Sequence, residues 1–225
     1  MKKKIVAIVP MRDRSERVPG KNYRLFAGKP LFHYIISSLL QCREISRVVI
    51  DTDSETIMKD TSKSFPDVEI IERPEHLRDG SIPMNDVLLN DMQHIKADFY
   101  LQTHSTNPLL SHESISQAIK KYQEQFPTYD SLFTVTRIQT RLWDQLARPV
   151  NHNPAILLRT QDLPPIYAEN SCMYLFTREI LESRHNRVGE RPLMYELKPE
   201  EAWDIDEESD FRIAELLYKL QGAGS

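Results

Sequence analysis

The sequence predicts an α/β fold with a doubly wound, mostly parallel sheet, in a single domain over residues 1–225. Apolar runs rich in β-branched residues alternate with segments of helical periodicity along a chain long enough for one ordinary domain. Four successive strand-then-helix units require right-handed crossovers and therefore parallel strands. A continuous apolar stretch at residues 5–9 fits a strand in a sheet that is covered on both faces.

The predicted elements follow one another in order along the chain. A strand over residues 4–9 leads into a polar loop and then a helix over residues 30–42, for which Pro30 suits the first turn. Ser111 is a good N-cap for a helix over residues 111–125. The other predicted elements are strands at 47–51, 68–72, 98–102, 131–136, 171–176 and 193–197, and helices at 54–64, 83–95 and 207–220.

The alternation stops between residues 137 and 165, a stretch rich in Pro, Arg and Asn. This pattern predicts an extended arm or a lid, and a long surface connection is the alternative. Leu142, Trp143 and Leu146 gain little when left in water, so we expect the arm to contribute to a homodimer.

Composition excludes several classes of protein. With 29 basic and 33 acidic residues the formal net charge is −4, which argues against a nucleic-acid binder. No apolar run reaches the ~18 residues of a membrane span, and the apolar stretch before Pro10 is too short for a signal peptide. Cys42 and Cys172 form neither a disulfide framework nor a metal-ligand pattern, which favours a reducing, cytoplasmic location.

The loop after the first strand, residues 10–22, concentrates positive charge. Ligands of doubly wound sheets bind at the carboxyl ends of the strands, so this loop is the first candidate site. Such dense cations repel one another unless a polyanion lies among them, although a solvated basic loop is the alternative. The pattern is neither a P-loop nor a dinucleotide-binding fingerprint. The groups that can address anionic oxygens are Arg12, Arg14, Ser15, Arg17 and Lys21.

Several motifs resemble one known family. They include Pro10-Met11-Arg12 with Pro19-Gly20-Lys21-Asn22 and, in the same order as in the family, residues 50–54, 72–77, 159–164 and 203–211. Together they resemble the acylneuraminate cytidylyltransferases and their CMP-KDO synthetase relatives. The resemblance implies a Rossmann-like nucleotidyltransferase fold, usually a homodimer, that activates an acid sugar with CTP and Mg2+ (Mn2+ is possible) and releases pyrophosphate.

The resemblance also implies roles for individual residues in binding CTP. Arg12 and Lys21 match triphosphate-binding residues and, with Asp206, form the predicted catalytic set. A surface salt bridge is the alternative for Arg73, and a turn serine is the alternative for Ser81. The full predicted nucleotide-binding set is Arg12, Ser15, Arg17, Lys21, Asn22, Arg73 and Ser81.

Asp204 and Asp206 are the predicted metal ligands. Residues two apart on an extended backbone face the same side, and Mg2+ takes one or two carboxylates together with phosphate oxygens. The resemblance favours Asp206 over Asp204 as the metal ligand, because Asp206 also matches an aspartate of the CMP-KDO synthetases. The alternative for Asp206 is capping of the final helix, which can coexist with metal binding.

The predicted acceptor-binding residues include the positions where this chain departs from the family pattern. Aligned on Pro108-Leu109, a glutamine of the family becomes His104, a serine becomes Asn107 and an arginine becomes Leu110. An imidazole can carry charge near neutrality, whereas an amide cannot, although His104 can also be a buried structural histidine. The full predicted acceptor set is His104, Asn107, Arg159, Gln161 and Asn170.

Three functions compete at this point. The first is transfer of CMP from CTP to an acid sugar of the nonulosonate or sialic-acid type. The second keeps the cytidylyl transfer and exchanges the acceptor for a phosphonate or another small acid. The third is a non-catalytic nucleotide-binding module, which the joint presence of Arg12, Lys21, Asp204 and Asp206 disfavours.

Overall fold

A seven-stranded sheet organises the chain in the computed structural model, which describes residues 3–222. The strands are β1 (Ile5–Met11), β2 (Leu25–Phe26), β3 (Lys29–Pro30), β4 (Ile45–Thr52), β5 (Glu69–Glu72), β6 (Phe99–Thr103), β7 (Ser131–Ile138), β8 (Ile166–Phe176) and β9 (Pro192–Glu196). The strand order of the sheet is β5-β4-β1-β6-β8-β7-β9, and β2 and β3 form a separate small hairpin. The helices are α1 (Phe32–Gln41), α2 (Glu55–Ser64), α3 (Met84–His94), α4 (His112–Gln125), α5 (Arg178–Arg184) and α6 (Glu208–Gly222).

The pairing of the strands confirms the doubly wound, mostly parallel sheet. β1 lies parallel to both β4 and β6, β4 lies parallel to β5, and β7 lies parallel to β9. β8 is antiparallel to both of its neighbours, β6 and β7. β8 therefore lies between β6 and β7 in the sheet, although β6 and β7 are consecutive strands in the chain, connected by α4.

The first strand lies at the centre of the core. All seven residues of β1 are buried, and successive side chains enter opposite layers. Ile5, Ala7 and Val9 pack into one cluster, whereas Val6 and Ile8 pack into the other. Burial on both faces explains why this strand reads as a continuous apolar run rather than as an alternation.

Side-chain caps set the starts of three helices. Ser54 accepts from the Ile57 amide, Thr177 from Ile180, and Ser111 from Ser114 at 3.2 Å, which confirms the predicted cap at residue 111. Among residues 3–222, no helix combines the length and the apolar character needed to cross a membrane.

Two details of the predicted elements are wrong. Pro30 does not open a helix, because it forms the end of the β2–β3 hairpin, whose turn contains Gly28 at φ 92°, and α1 begins at Phe32. Proline has no N–H to donate, so the edge of a two-stranded hairpin tolerates it. The helix α5 was not predicted, since its seven residues are too few to display a helical period.

Candidate active site

A cleft of 180 Å³ opens at the carboxyl ends of β1 and β6. Its position agrees with the rule for ligand sites in doubly wound sheets. It brings together six residues predicted for binding nucleotide or acceptor, together with Arg14. These lining residues are Arg12, Arg14, Ser15, Lys21, Asn22, Arg73 and His104.

Asn22 holds the loop that follows β1 in place. Its side-chain Nδ2 donates to the Arg12 carbonyl at 2.8 Å, and its Oδ1 accepts from the Ser105 hydroxyl at 2.7 Å. The amide is thereby satisfied inside the protein and ties the loop to the segment that follows β6. These contacts give Asn22 a structural role at the wall of the cleft, and its contact with nucleotide stays a prediction.

Lys21 is a buried cation at the floor of the loop. Its Nζ donates to the carbonyl of Ile205 at 2.5 Å. Burial lowers the pKa of Lys21, and the nearby charges of Asp204 and Asp206 oppose that shift. A buried ammonium group without a bonded carboxylate is well suited to receive an anionic ligand.

The two predicted metal ligands lie across from Lys21 on the segment before α6. The Ile205 amide donates to the Thr106 carbonyl at 3.0 Å, which docks this segment against the end of β6. Partial burial raises the pKa of Asp204, and the charge of Asp206 raises it further. The two carboxylates are therefore close enough to interact.

Asp206 does not cap the final helix. Its carboxylate accepts from Arg17 Nη2 at 2.5 Å, with both side chains about half exposed. The backbone amides of Asp206 and Glu207 instead donate to Asp210 Oδ2, at 3.1 and 2.7 Å. The side chain of Asp206 is thus directed toward the cationic loop rather than toward the helix.

Arg73 forms a buried ion pair beneath the cleft. The side chain is 2% exposed, so the alternative of a surface salt bridge is wrong. Its Nε donates to Asp51 Oδ1 at 2.6 Å. Asp91 lies beside this pair, where burial first and the charge of Asp51 second raise its pKa to about 8. At neutral pH Asp91 is therefore protonated and lies beside the ion pair of Arg73 and Asp51.

A second cavity of 820 Å³ continues from the cleft past Arg12 toward residues 75–80. A side chain at Gly80 would place its Cβ 2.5 Å from Arg12 Nη1, so glycine permits this close approach. Ser81 donates from its amide and from its hydroxyl to Asp79 Oδ1, at 2.8 and 2.6 Å. Ser81 therefore shapes the turn before α3, and its predicted contact with nucleotide is a separate proposal.

His104 is the predicted acceptor-binding residue that lines the cleft. Its Nε2 lies 3.0 Å from Gln102 Nε2. Burial, followed by the positive charges of Arg187 and Lys21, lowers its pKa to about 4. The imidazole is therefore neutral at physiological pH and can act as either a donor or an acceptor.

Two other predicted acceptor residues make contacts within the fold. Asn107 is buried, and its Nδ2 donates to the Trp203 carbonyl at 3.4 Å. Asn170 donates to Thr136 Oγ1 at 3.0 Å, next to the irregular pairing of β7 with β8. Their predicted roles toward an acceptor stay predictions.

Arg159 and Gln161 lie in the arm, where their contacts are local. Arg159 pairs with Asp162 at 2.7 Å and is largely exposed. The backbone carbonyl of Gln161 accepts from Gln139 at 2.7 Å. Neither residue lines the cleft of its own chain.

Sequence reasoning missed three charged groups around this site. Asp51 is the penultimate residue of β4, and Asp91 occupies the buried face of α3 beside Val87 and Leu88. An acid on an apolar helix face is a sequence signal of a buried ionisable group. Arg187 lies in a loop, where neither period nor motif marks it.

The fold and the cleft together define a doubly wound α/β protein with a cationic ligand site at the carboxyl ends of its parallel strands. The sequence profile described as cytidylyltransferase matches residues 6–220. The chain belongs to the cytidylyltransferase family.

Two individual relatives agree with this assignment, and a solved structure shares the fold. The chain is 29% identical over 218 residues to N-acylneuraminate cytidylyltransferase A of Danio rerio, covering 94% of this chain and 50% of that relative. It thus spans about half the length of that relative. It is 26% identical over 230 residues to pseudaminic acid cytidylyltransferase of Campylobacter jejuni, covering 96% and 97%. The structure of CMP:2-keto-3-deoxy-manno-octonic acid synthetase complexed with CTP has a TM-score of 0.71 at 14% identity, covering 97% and 99%, and shows a shared fold.

Proposed function

We propose that this protein transfers CMP from CTP to an acid sugar of the nonulosonate type and releases pyrophosphate. The observation that carries the proposal is the placement of buried Lys21 between a cationic loop and two interacting carboxylates. A triphosphate supplies the negative charge that this arrangement lacks, and the carboxylates supply ligands for a divalent cation.

The reaction is an in-line displacement at the α-phosphorus, to which the protein contributes positioning and charge neutralisation. Arg12 and Lys21 hold the triphosphate and stabilise the leaving pyrophosphate. Ser15 and Arg17 extend this contact along the loop. Arg73 and Ser81 hold the nucleoside end, where Asp51 keeps Arg73 in one orientation.

The carboxylates of Asp204 and Asp206 fit a magnesium ion. Part of the raised pKa of Asp204 reflects repulsion by Asp206, which a cation between them would relieve. Among residues 3–222, no cluster of three or more His, Cys, Asp or Glu side chains is arranged to hold a metal. Mg2+, or Mn2+ in its place, takes one or two carboxylates and completes its ligands with phosphate oxygens and water. When bound, the ion neutralises phosphate charge and orients the α-phosphoryl group.

The acceptor binds next to His104 in this proposal. Since His104 is neutral, it contributes a hydrogen bond rather than a charge to the acid. Asn107 and Asn170 shape this side of the cleft through the backbone and side-chain contacts that they make.

The arm completes a homodimer in this proposal. It carries a run of apolar side chains that the chain itself leaves uncovered, and such a patch marks an interaction surface. Burying them against a second copy would also bring Arg159 and Gln161 to a partner's surface. The exposed members are Trp143, Leu146, Val150, Ile156, Leu157 and Leu158.

The test is pyrophosphate release from CTP with a panel of acids. The panel contains an N-acylneuraminic acid, pseudaminic acid, 2-keto-3-deoxy-manno-octonic acid and a phosphonate. We expect a CMP-linked product with an acid sugar, loss of activity with EDTA, and recovery with Mg2+ or Mn2+. Turnover with the phosphonate alone would change the substrate class, and silence with every acid would reject the proposed function.

A further inference from the structure

Arg187 lies behind the acceptor side of the cleft and has no part in the chemistry described above. It belongs to the loop 185–191 between α5 and β9. Its Nη1 donates to Gln102 Oε1, and its guanidinium carbon lies 4.0 Å from the centroid of the Tyr174 ring. Gln102 in turn contacts His104, which lines the cleft. Two polar contacts therefore connect the guanidinium to the cleft.

The charge of Arg187 is not matched by a bonded carboxylate. Among residues 3–222, no carboxylate oxygen lies within 4.0 Å of its guanidinium, whereas Arg178 and Arg184 of the preceding helix each have such a partner. Glu169 attracts it from a greater distance but bonds to the Tyr174 hydroxyl. The Nε of Arg187 is buried without a hydrogen-bond partner. Burying a guanidinium without a paired carboxylate costs free energy, and a bound anion would offset that cost.

The loop that carries Arg187 is clamped on both sides. On one side, the Gly189 amide donates to Ser131 Oγ at 2.8 Å, and a Cβ at Gly189 would lie 2.1 Å from Asp130 Oδ1. On the other side, Asn85 Nδ2 donates to the His185 carbonyl at 2.8 Å. The guanidinium is therefore held in position before any ligand arrives, which lowers the entropic cost of binding.

We propose that Arg187 is an acceptor-binding residue that receives the carboxylate of the acid substrate. The inference rests on the proposed function and names the group that the acceptor side of the cleft recognises. A planar guanidinium matches a carboxylate through two parallel hydrogen bonds, which a point charge cannot reproduce. His104 lines the cleft and contacts Gln102, which accepts from Arg187, so the three side chains form one connected group on the acceptor side.

The first experiment measures steady-state kinetics on Arg187→Met, Arg187→Lys and the matched control Arg184→Met. The acceptor is whichever acid of the panel the wild type uses best. We expect Arg187→Met to raise the KM for the acid about tenfold to a hundredfold, with the KM for CTP within about twofold. Arg187→Lys should recover part of the loss because it keeps the charge. Arg184→Met should match the wild type, since Arg184 is exposed and pairs with Glu190.

The second experiment compares the acid with its methyl ester, which lacks the charged carboxylate. The wild type should prefer the acid by more than about tenfold, and Arg187→Met should lose most of that preference. The inference would be overturned by an unchanged preference for the acid over its ester, or by an equal rise in the KM for the acid and the KM for CTP. If Arg187→Met is too unstable to assay, Arg187→Gln, which also removes the charge, takes its place, and an unaltered acid preference overturns the inference there also. Wild-type silence on every acid is a different result, because it rejects the proposed function itself.

Discussion

The loop after β1 and the arm between β7 and β8 are both long and rich in arginine, yet they are held in different ways. Contacts far along the sequence hold the loop, such as Asn22 with Ser105 and Lys21 with the Ile205 carbonyl. The arm is held mainly by local contacts, such as Arg148 with Asp144. Its apolar side chains stay exposed.

We infer from this difference that the loop is a ligand site and the arm a partner surface. The loop is fixed by its own chain, and among residues 3–222 its Lys21 has no bonded carboxylate, which suits the proposed triphosphate. The arm lacks cover for apolar area, which a second protein surface provides. Variants in the two regions should therefore change different quantities, and a variant that changes both would break the comparison.

The largest effect is expected at Lys21. Lys21→Ala should lower kcat about tenfold to a hundredfold, because a charge-assisted contact to phosphate is worth roughly 1.5–3 kcal/mol. Arg12→Ala should lower turnover or CTP binding by at least about tenfold for the same reason. Steady-state kinetics with varied CTP measure both, and Lys63→Ala on the exposed side of α2 is the control. Wild-type kinetics for both cleft variants would remove the loop from the active site.

The next effect concerns the arm. Leu157 is 89% exposed, and Leu157→Asp should shift the chain from a dimer toward a monomer of 26.3 kDa. Light scattering at micromolar concentration measures the mass, and Leu216→Asp on the exposed side of α6 is the matched control. A wild type that already runs as a monomer would reject the arm as a dimer contact.

The buried acids under the cleft should make stability depend on pH. Asp91 holds its proton in the folded state up to about pH 8, whereas an unfolded aspartate releases it near pH 4. The unfolded state therefore binds fewer protons in between, so stability falls as pH rises from about 4 to 8. Asp91→Asn imitates the protonated acid and should flatten this fall, which is at most about 1.4 kcal/mol per pH unit.

Chemical denaturation at several pH values between 5 and 8 measures the slope. The control is Asp144→Asn in the arm, whose carboxylate pairs with Arg148 in solvent. Since hydrogen bonds from residue 148 lower the pKa of Asp144, its contribution is lost only at acid pH. An equal change of slope in both variants would show that the burial of Asp91 is not the cause.

The sequence was sufficient for the sheet and for the cationic loop, because burial and charge leave local patterns. Continuous apolar runs predicted β1 and its parallel neighbours, and the dense cations between Arg12 and Lys21 predicted the ligand loop. The position of β8 between β6 and β7 and the helix α5 were missed, since neither strand order nor a seven-residue helix leaves a periodic signal. Arg187 was missed because only the folded chain brings its loop to Gln102.

The smallest and most specific effect is expected at His104, where the fixed cleft meets the acceptor. Because its imidazole is neutral, with a pKa of about 4, acceptor kinetics should show no inflection from this residue between about pH 5.5 and 8. His104→Gln replaces one neutral hydrogen-bonding group with another and should change the KM for the acid by up to about tenfold, with the KM for CTP nearly constant. His33→Gln on α1, where His33 lies 3.0 Å from Asp60, controls for loss of an imidazole elsewhere.

A purely structural His104 predicts the reverse pattern, in which the melting temperature falls while the ranking of acids stays the same. Loss of acid recognition changes the acceptor kinetics, whereas loss of the contact with Gln102 changes the melting temperature. Measuring both quantities on the same variant therefore distinguishes the two roles.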